Sequence, residues 1–451
     1  MNLFGRVDDS GESKGSAFAA AAPTKQARGP LIPDTHAVRF MSHDSSRTWS
    51  LLVHAGAGEH SRASDRVEAY RNAMREACDA GRAALFATDG GAMAACVAAV
   101  ACMEDDATCN AGLGSNLTED GTVECDACVM DGAEGSSGAC GAVAGIRNPV
   151  RLARALLDAQ ASGELTLGRV HPMLLVGEGA RKWAQAHPDV DLVEPISLVT
   201  PRARAQWNQY MVWLREAEAE AEVKVEARAT VATTSSTGGG KRKRDSPHAR
   251  LAETLHDTVG AVCCDGTHVA AAVSSGGIWL KHSGRVGEAA VFGAGCWACD
   301  ASGHGDDASV ATSVSGVGEQ VMRRLLARAS CEALRRGSDG PPGRLASLEA
   351  LSSVLLDTPH ADGRANGSST ISAGVIAVRC APSRASAAVN AIPTHELLVA
   401  HTTPSFAVGF VSSAFAVGRR PSTYISRRPE GSLSRPTVLQ IGASLSFHPK
   451  G

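Results

Sequence analysis

Thr258 follows Asp257 in "HDTVGAV" and opens a run of β-formers, and of all the residues in this chain the pair has the clearest capacity for chemistry. If the bond between them were cut, the threonine would gain a free α-amino group beside its own hydroxyl. An α-amine titrates at about 7.7–8.0, so near neutral pH a useful fraction could take the hydroxyl proton. One residue then supplies nucleophile and base, and no histidine is needed. His54 in "VHAGAG" therefore reads as a satisfied structural residue. Partners for such a threonine follow in the sequence. Ser274-Ser275 precede a glycine pair, Arg285 in "KHSGRVGE" could hold a carboxylate by a bidentate pair, and Ser315-Gly316 offer a hydroxyl and an N–H to a developing oxyanion.

The elements that must position these residues have a simple pattern. "TVGAVCC" and "VAAAVSS" are apolar runs separated by Asp265-Gly266-Thr267, which reads as a hairpin. Upstream, "WSLLVHAGAG" reads as a buried strand ending in a glycine-rich loop. Apolar spacing from Asp65 predicts a helix, and Ala92 to Met103 predicts a second, almost wholly apolar one. Strands near 122–130 and 138–145 precede "NPVRLARALLDA", where Asn148 is expected to cap a helix and Pro149 to start it. From about Pro201 to Asp257 the chain becomes charged, then Ser/Thr/Gly-rich. It reads as a flexible linker, with a helix open as an alternative for its first half. A helix from Glu319 to about Arg336 and strands at 373–379 and 396–401 follow. Two halves that each supply strands and helices suggest one layered α/β domain interrupted by a loop.

Composition excludes several classes of function. A net charge of −3 provides no global field for nucleic acid or an anionic membrane. No apolar run approaches the ~20 residues that span a bilayer. Asp8, Asp9 and Glu12 stand where a targeting peptide would be basic, and residues 1–45 read as a disordered extension. The chain has 13 cysteines and two Cys-x-x-Cys pairs, Cys125/Cys128 and Cys296/Cys299. In a strand, residues three apart face opposite ways, so these are read as buried free thiols of a reducing compartment, with no metal and no cofactor expected. The tract Lys241-Arg242-Lys243-Arg244 is either solvated linker charge or a nuclear import signal, and the two readings stay open.

"HAGAG", "CNAGLGSNL", "ECDACVMDG", "GIRNPV", "DTVGAV", "AAAVSSGG", "KHSGRVG" and "GAGCWA" occur in the order seen in the type-2 (plant-type) asparaginase family, and from about Ser50 to Arg428 the chain resembles its threonine-aspartase (taspase) branch. The resemblance implies a four-layer αββα sandwich of the N-terminal-nucleophile hydrolase type. It also implies autoproteolysis between Asp257 and Thr258, with the fragments 46–257 and 258–451 staying associated as α and β subunits, in an (αβ)2 assembly. Thr258 would be the nucleophile, Ser275 the hydroxyl that orients it, Arg285 the ligand of the substrate carboxylate, and Ser315 with Gly316 the oxyanion contact. Asn110 and Gly56 would line the site from the α side. The implied activity is an endopeptidase cutting protein substrates after Asp, in the nucleus and/or cytoplasm. The alternatives are an asparaginase or isoaspartyl dipeptidase on the same fold, or an uncut binding scaffold. Glu288 departs from the branch, which carries an amide there. Asparaginases carry an aspartate that grips a free α-amino group, so Glu288 is expected to face that position.

Overall fold

In a computed structural model the described residues are 48–231, 258–302, 308–335, 344–356, 371–381, 394–413, 420–428 and 436–441. The expected extension 1–45, Asp257 and Lys241–Arg244 lie outside them. In chain order the elements are β1 (Ser50–Gly58), α1 (Ser64–Leu85), α2 (Ala92–Glu104), β2 (Cys125–Asp131), β3 (Ser137–Val143), α3 (Pro149–Gln160), β4 (Leu174–Val176), α4 (Gly177–Ala184) and α5 (Pro201–Val231). The second half supplies β5 (Val259–Cys264), β6 (Val269–Ser275), β7 (Cys296–Cys299), β8 (Ser309–Gly316), α6 (Gly318–Met322), α7 (Leu326–Arg335), α8 (Arg344–Leu356), β9 (Ala373–Ala381), β10 (Thr394–His401), β11 (Ser405–Ser412), β12 (Ser422–Arg427) and β13 (Thr437–Ile441).

The fold is mixed α/β. An eight-stranded sheet runs β12-β11-β1-β5-β6-β2-β3-β4 and a five-stranded sheet runs β13-β10-β9-β8-β7. Strand alternation sorts the side chains into three apolar clusters. Leu51, Val53, Val259, Ala261 and Ala272 pack with α1, α2 and α3. Leu52, Val262, Val273, Ile376, Val378 and Leu397 meet between the sheets. Val310, Val375 and Leu398 pack with Leu326 and Leu334 of α7 and Leu351 of α8. Small side chains let these layers approach closely. A methyl group on Gly81 would sit 2.6 Å from Leu51 Cδ2 and 2.9 Å from the Ala95 carbonyl. Cys125 joins the first cluster and Cys128 the second, as strand alternation requires.

Three expectations need correction. Asn148 stands at the N-cap position of α3 but its side chain does not cap it. The cap comes from α2 instead, where Glu104 Oε1 accepts the Val150 N–H at 3.0 Å. Glu104 is fully buried, and Glu104 Oε2 and Ser274 Oγ each lack a partner in hydrogen-bond geometry. Burial pushes the Glu104 carboxyl up to about 8. The single helix expected from Glu319 is two helices, because Leu325 adopts φ 45° between α6 and α7.

The third correction concerns the linker expected from about 201: its first half takes the helical alternative and is docked at its start rather than flexible. Residues 201–231 form α5, and its first turns are docked. Ala203 and Tyr210 are buried, Trp207 Nε1 donates to the Thr118 carbonyl at 2.9 Å, and the Tyr210 and Trp279 rings are 4.6 Å apart. Arg202 and Arg204 reach the carbonyls of Ala107 and Gly121. Among the described side chains of α5, residues 201–223, the buried ones lie at its start, so the Glu/Ala run after it conceals the stripe.

Candidate active site

The β5–β6 hairpin places Val259 opposite Ser274. One step beyond the paired residues, Thr258 and Ser275 meet on the face between the sheets, with their hydroxyl oxygens 3.0 Å apart. Thr258 is 2% exposed. Its Oγ1 donates to Glu288 Oε1 at 2.8 Å. A threonine hydroxyl has one proton. The Thr258 oxygen is therefore the acceptor toward Ser275, whose own oxygen accepts the Gly277 N–H at 3.0 Å. The resulting chain runs from the Ser275 hydroxyl to the Thr258 hydroxyl to a carboxylate, which polarises the threonine oxygen.

Glu288 opens a short 3-10 turn and is 3% exposed. Asp126 of β2 holds that turn in place. Its Oδ2 accepts the Gly287 N–H and its Oδ1 the Ala142 N–H, both at 2.8 Å. Burial raises the Glu288 carboxyl above its ordinary value, opposed by the Arg285 guanidinium and by the Thr258 hydrogen bond. Glu288 thus contacts the threonine hydroxyl directly, a relationship that the expected role at a substrate amine did not include.

Arg285 is bonded to a residue from another element. Its Nε and Nη2 donate to Glu319 Oε1 of α6 at 3.0 and 2.8 Å. The arginine side chain is 14% exposed and the glutamate 49%, so the guanidinium is sheltered while its partner faces solvent. Both ionic groups of the 285–288 loop converge on one backbone position. A methyl group on Gly318 would lie 2.6 Å from Arg285 Nη2 and 2.7 Å from Glu288 Oε2.

The other expected residues form the surroundings. Asn110 Nδ2 donates to the Gly277 carbonyl at 2.8 Å and its main-chain carbonyl accepts the Gly276 N–H at 2.8 Å, so it fixes the glycine pair after Ser275. Gly56 has φ 99° at a register shift in β1 between His54 and Ala57. Beyond it, Ala57 N–H donates to Ser315 Oγ at 2.9 Å, so Ser315 ties β8 to β1. Gly316 packs on Ser372 and Ala373. His54 Nε2 lies 2.9 Å from Ser313 Oγ, and burial lowers the ring to about 3, which keeps it neutral. Asp126, Glu319 and Gly318 were missed as site residues. Asp126 stands in "ECDACVMDG", and pairing of Asp126 with Ser275 across β2 and β6 was the signal that could have found it.

The family profile described as Asparaginase matches residues 47–398. A plant-type L-asparaginase of Pyrococcus abyssi is 32% identical over 302 residues, covering 66% of this chain and 84% of the relative. An isoaspartyl peptidase/L-asparaginase of Xenopus laevis is 32% identical, covering 67% and 81%, and an isoaspartyl peptidase of Salmonella typhimurium is 34% identical, covering 61% and 76%. These likenesses define the class as hydrolases of the N-terminal-nucleophile type. Within that class, the chain belongs to the asparaginase family.

Proposed function

We propose that this protein is a threonine hydrolase matured by its own cut at Asp257–Thr258, and that it cleaves protein substrates after Asp. The observation that carries the reading is the double contact of Thr258 Oγ1, 3.0 Å from Ser275 Oγ and 2.8 Å from Glu288 Oε1. In the uncut chain the Thr258 nitrogen is an amide and cannot be the base. Glu288 takes the hydroxyl proton as Oγ1 forms a bond to the Asp257 carbonyl carbon. The C–N bond then breaks, the nitrogen leaves protonated as the free Thr258 amine, and water hydrolyses the ester to a carboxylate at Asp257 and the restored hydroxyl of Thr258. From then on the amine is the base for each incoming substrate.

The Asp specificity rests on Arg285. A substrate aspartate would displace the half-exposed Glu319 carboxylate and take its place on Arg285 Nε and Nη2. The first substrate is the chain's own Asp-Thr bond, so the scissile bond follows an aspartate from the outset. Ser315, with the Gly316 N–H, is assigned to the developing oxyanion. The three apolar clusters accord with a four-layer αββα sandwich, with the two fragments remaining associated through them.

A second reading is favoured by one specific observation. Glu288 places a carboxylate at the nucleophile, beside the carboxylate-binding Arg285, and such a pair suits the ammonium and carboxylate of a small β-aspartyl substrate. The names of the relatives fit this reading as well. Purified enzyme assayed on an Asp-containing peptide and on β-aspartyl dipeptides decides between the two. Turnover of the peptide is expected, and turnover of the dipeptides alone would overturn the endopeptidase assignment.

A further inference from the structure

A second cluster of reactive side chains lies at the other end of β5. Cys264 closes that strand on the face between the sheets, about 20 Å from Thr258 at ~3.3 Å per residue. Opposite it, Cys380 of β9 and His395 of β10 are direct cross-strand partners in the five-stranded sheet. The two sulfurs and one imidazole nitrogen all lie within 4.8 Å of one another. Cys264 Sγ and His395 Nε2 are 3.8 Å apart. Both residues are 2% exposed, and Cys380 is half-buried.

The orientation of the imidazole follows from its neighbours. Ser412 Oγ donates to the Trp49 carbonyl at 3.0 Å, so its single proton is used there. Ser50 Oγ, 3.0 Å from Ser412 Oγ, must donate to it. The Ser50 oxygen is then the acceptor toward His395 Nδ1 at 3.1 Å. His395 therefore carries its proton on Nδ1 and aims the Nε2 lone pair at Cys264. A metal-ligating histidine is typically held in this way, with its other nitrogen donating to an outer partner.

We propose that Cys264, Cys380 and His395 form a structural zinc site that ties the two sheets together at the end remote from Thr258, with solvent on the Cys380 side as the fourth ligand. Tetrahedral zinc with bonds of about 2.3 Å to sulfur and 2.0 Å to nitrogen sets a sulfur and a nitrogen ligand ~3.5 Å apart, a few tenths below the 3.8 Å between Cys264 Sγ and His395 Nε2. Two thiolates and a neutral imidazole leave no net charge around a divalent cation, which suits a buried position. The buried Cys296 thiol of one Cys-x-x-Cys pair meets the Cys128 carbonyl of the other, and among the described residues these cysteines form no such ligand set. This inference does not depend on the role of Thr258.

The test is metal analysis of the full chain, purified in reducing buffer through a tag that binds no metal, with zinc supplied during expression. About one zinc per chain is expected, and cobalt exchange should give the visible bands of tetrahedral thiolate cobalt. Cys264→Ser and His395→Ala should reduce the metal to background, while Thr258→Ala keeps it. Ser50→Ala should weaken affinity about 10–100-fold. Reduced wild-type protein without bound zinc would overturn the proposal, as would unchanged binding in both ligand variants. A Cys264–Cys380 disulfide as the form isolated from reducing buffer would do so too. Because the wild-type measurement stands alone, a variant that fails to fold does not obscure the result.

Discussion

Glu288 Oε1 accepts the hydroxyl proton of Thr258 at 2.8 Å inside a site where both side chains are almost fully buried. Since burial raises the Glu288 carboxyl above its ordinary value, the group is a stronger base than a surface glutamate, once ionised. The self-cut should therefore speed up as pH rises through that raised pKa. Glu288→Gln should slow the cut by about 10²–10⁴-fold and flatten that pH limb. Once cut, the Gln variant should keep Asp-peptide cleavage, because the amine is then the base, and lose activity on β-aspartyl dipeptides. Pulse-chase of freshly synthesised chain across a pH series measures the first effect, and peptide assays of the matured variant the second. An unchanged rate of cutting would remove Glu288 from the reaction.

Arg285 and Glu319 make opposite predictions. Arg285→Ala should leave the fragments associated but lower kcat/KM on an Asp substrate by about 30–1000-fold, for the ~2–4 kcal/mol of a charge-assisted pair. Glu319→Gln should instead lower KM several-fold, because the competing carboxylate is gone. Steady-state kinetics of the two variants side by side are the check. Equal kinetics in both would mean that the guanidinium does not bind substrate.

Glu104 provides a stability measurement independent of activity. Its folded pKa of about 8 exceeds the ordinary 4.5, so the neutral form is the one the fold accommodates. Stability from this group is fully present below about 4.5 and is lost as pH rises toward about 8. Glu104→Gln keeps the carbonyl for Val150 N–H and offers an amide to Ser274. Its advantage over wild type should be small at pH near 4.5 and widen by up to about 1.4 kcal/mol per pH unit above it. Thermal or urea unfolding across that range would show a constant difference if the carboxyl were not held neutral.

What the sequence revealed of the site depended on distance along the chain. The turn at Asp265-Gly266-Thr267 places the two strand ends together, so the meeting of Thr258 with a hydroxyl of Ser274-Ser275 was legible in the residues alone, and the family resemblance singled out Ser275. The Glu288 contact was not, because it depends on Asp126 of β2 gripping the Gly287 N–H across the sheet. Likewise Arg285 looked available until α6 brought Glu319 to it. The mixed α/β fold was readable from the periodic segments and a helix stayed open for the tract after 201, whereas its docking was not legible, because Trp207 and Tyr210 find their partners at Thr118 and Trp279, far away in sequence. Cys264, Cys380 and His395 converge only when two sheets stack, and no local spacing signals that.

Whether Thr258 becomes the chain's own N-terminal nucleophile is tested most directly by intact-mass spectrometry of the purified, denatured protein. The expected result for wild type is two chains, 1–257 and 258–451, the second beginning with an unmodified Thr258, while Thr258→Ala remains a single 46.4 kDa chain without hydrolase activity. A wild-type chain that stays whole through long incubation, or a cut that leaves any residue other than Thr258 at the new N-terminus, would contradict the account.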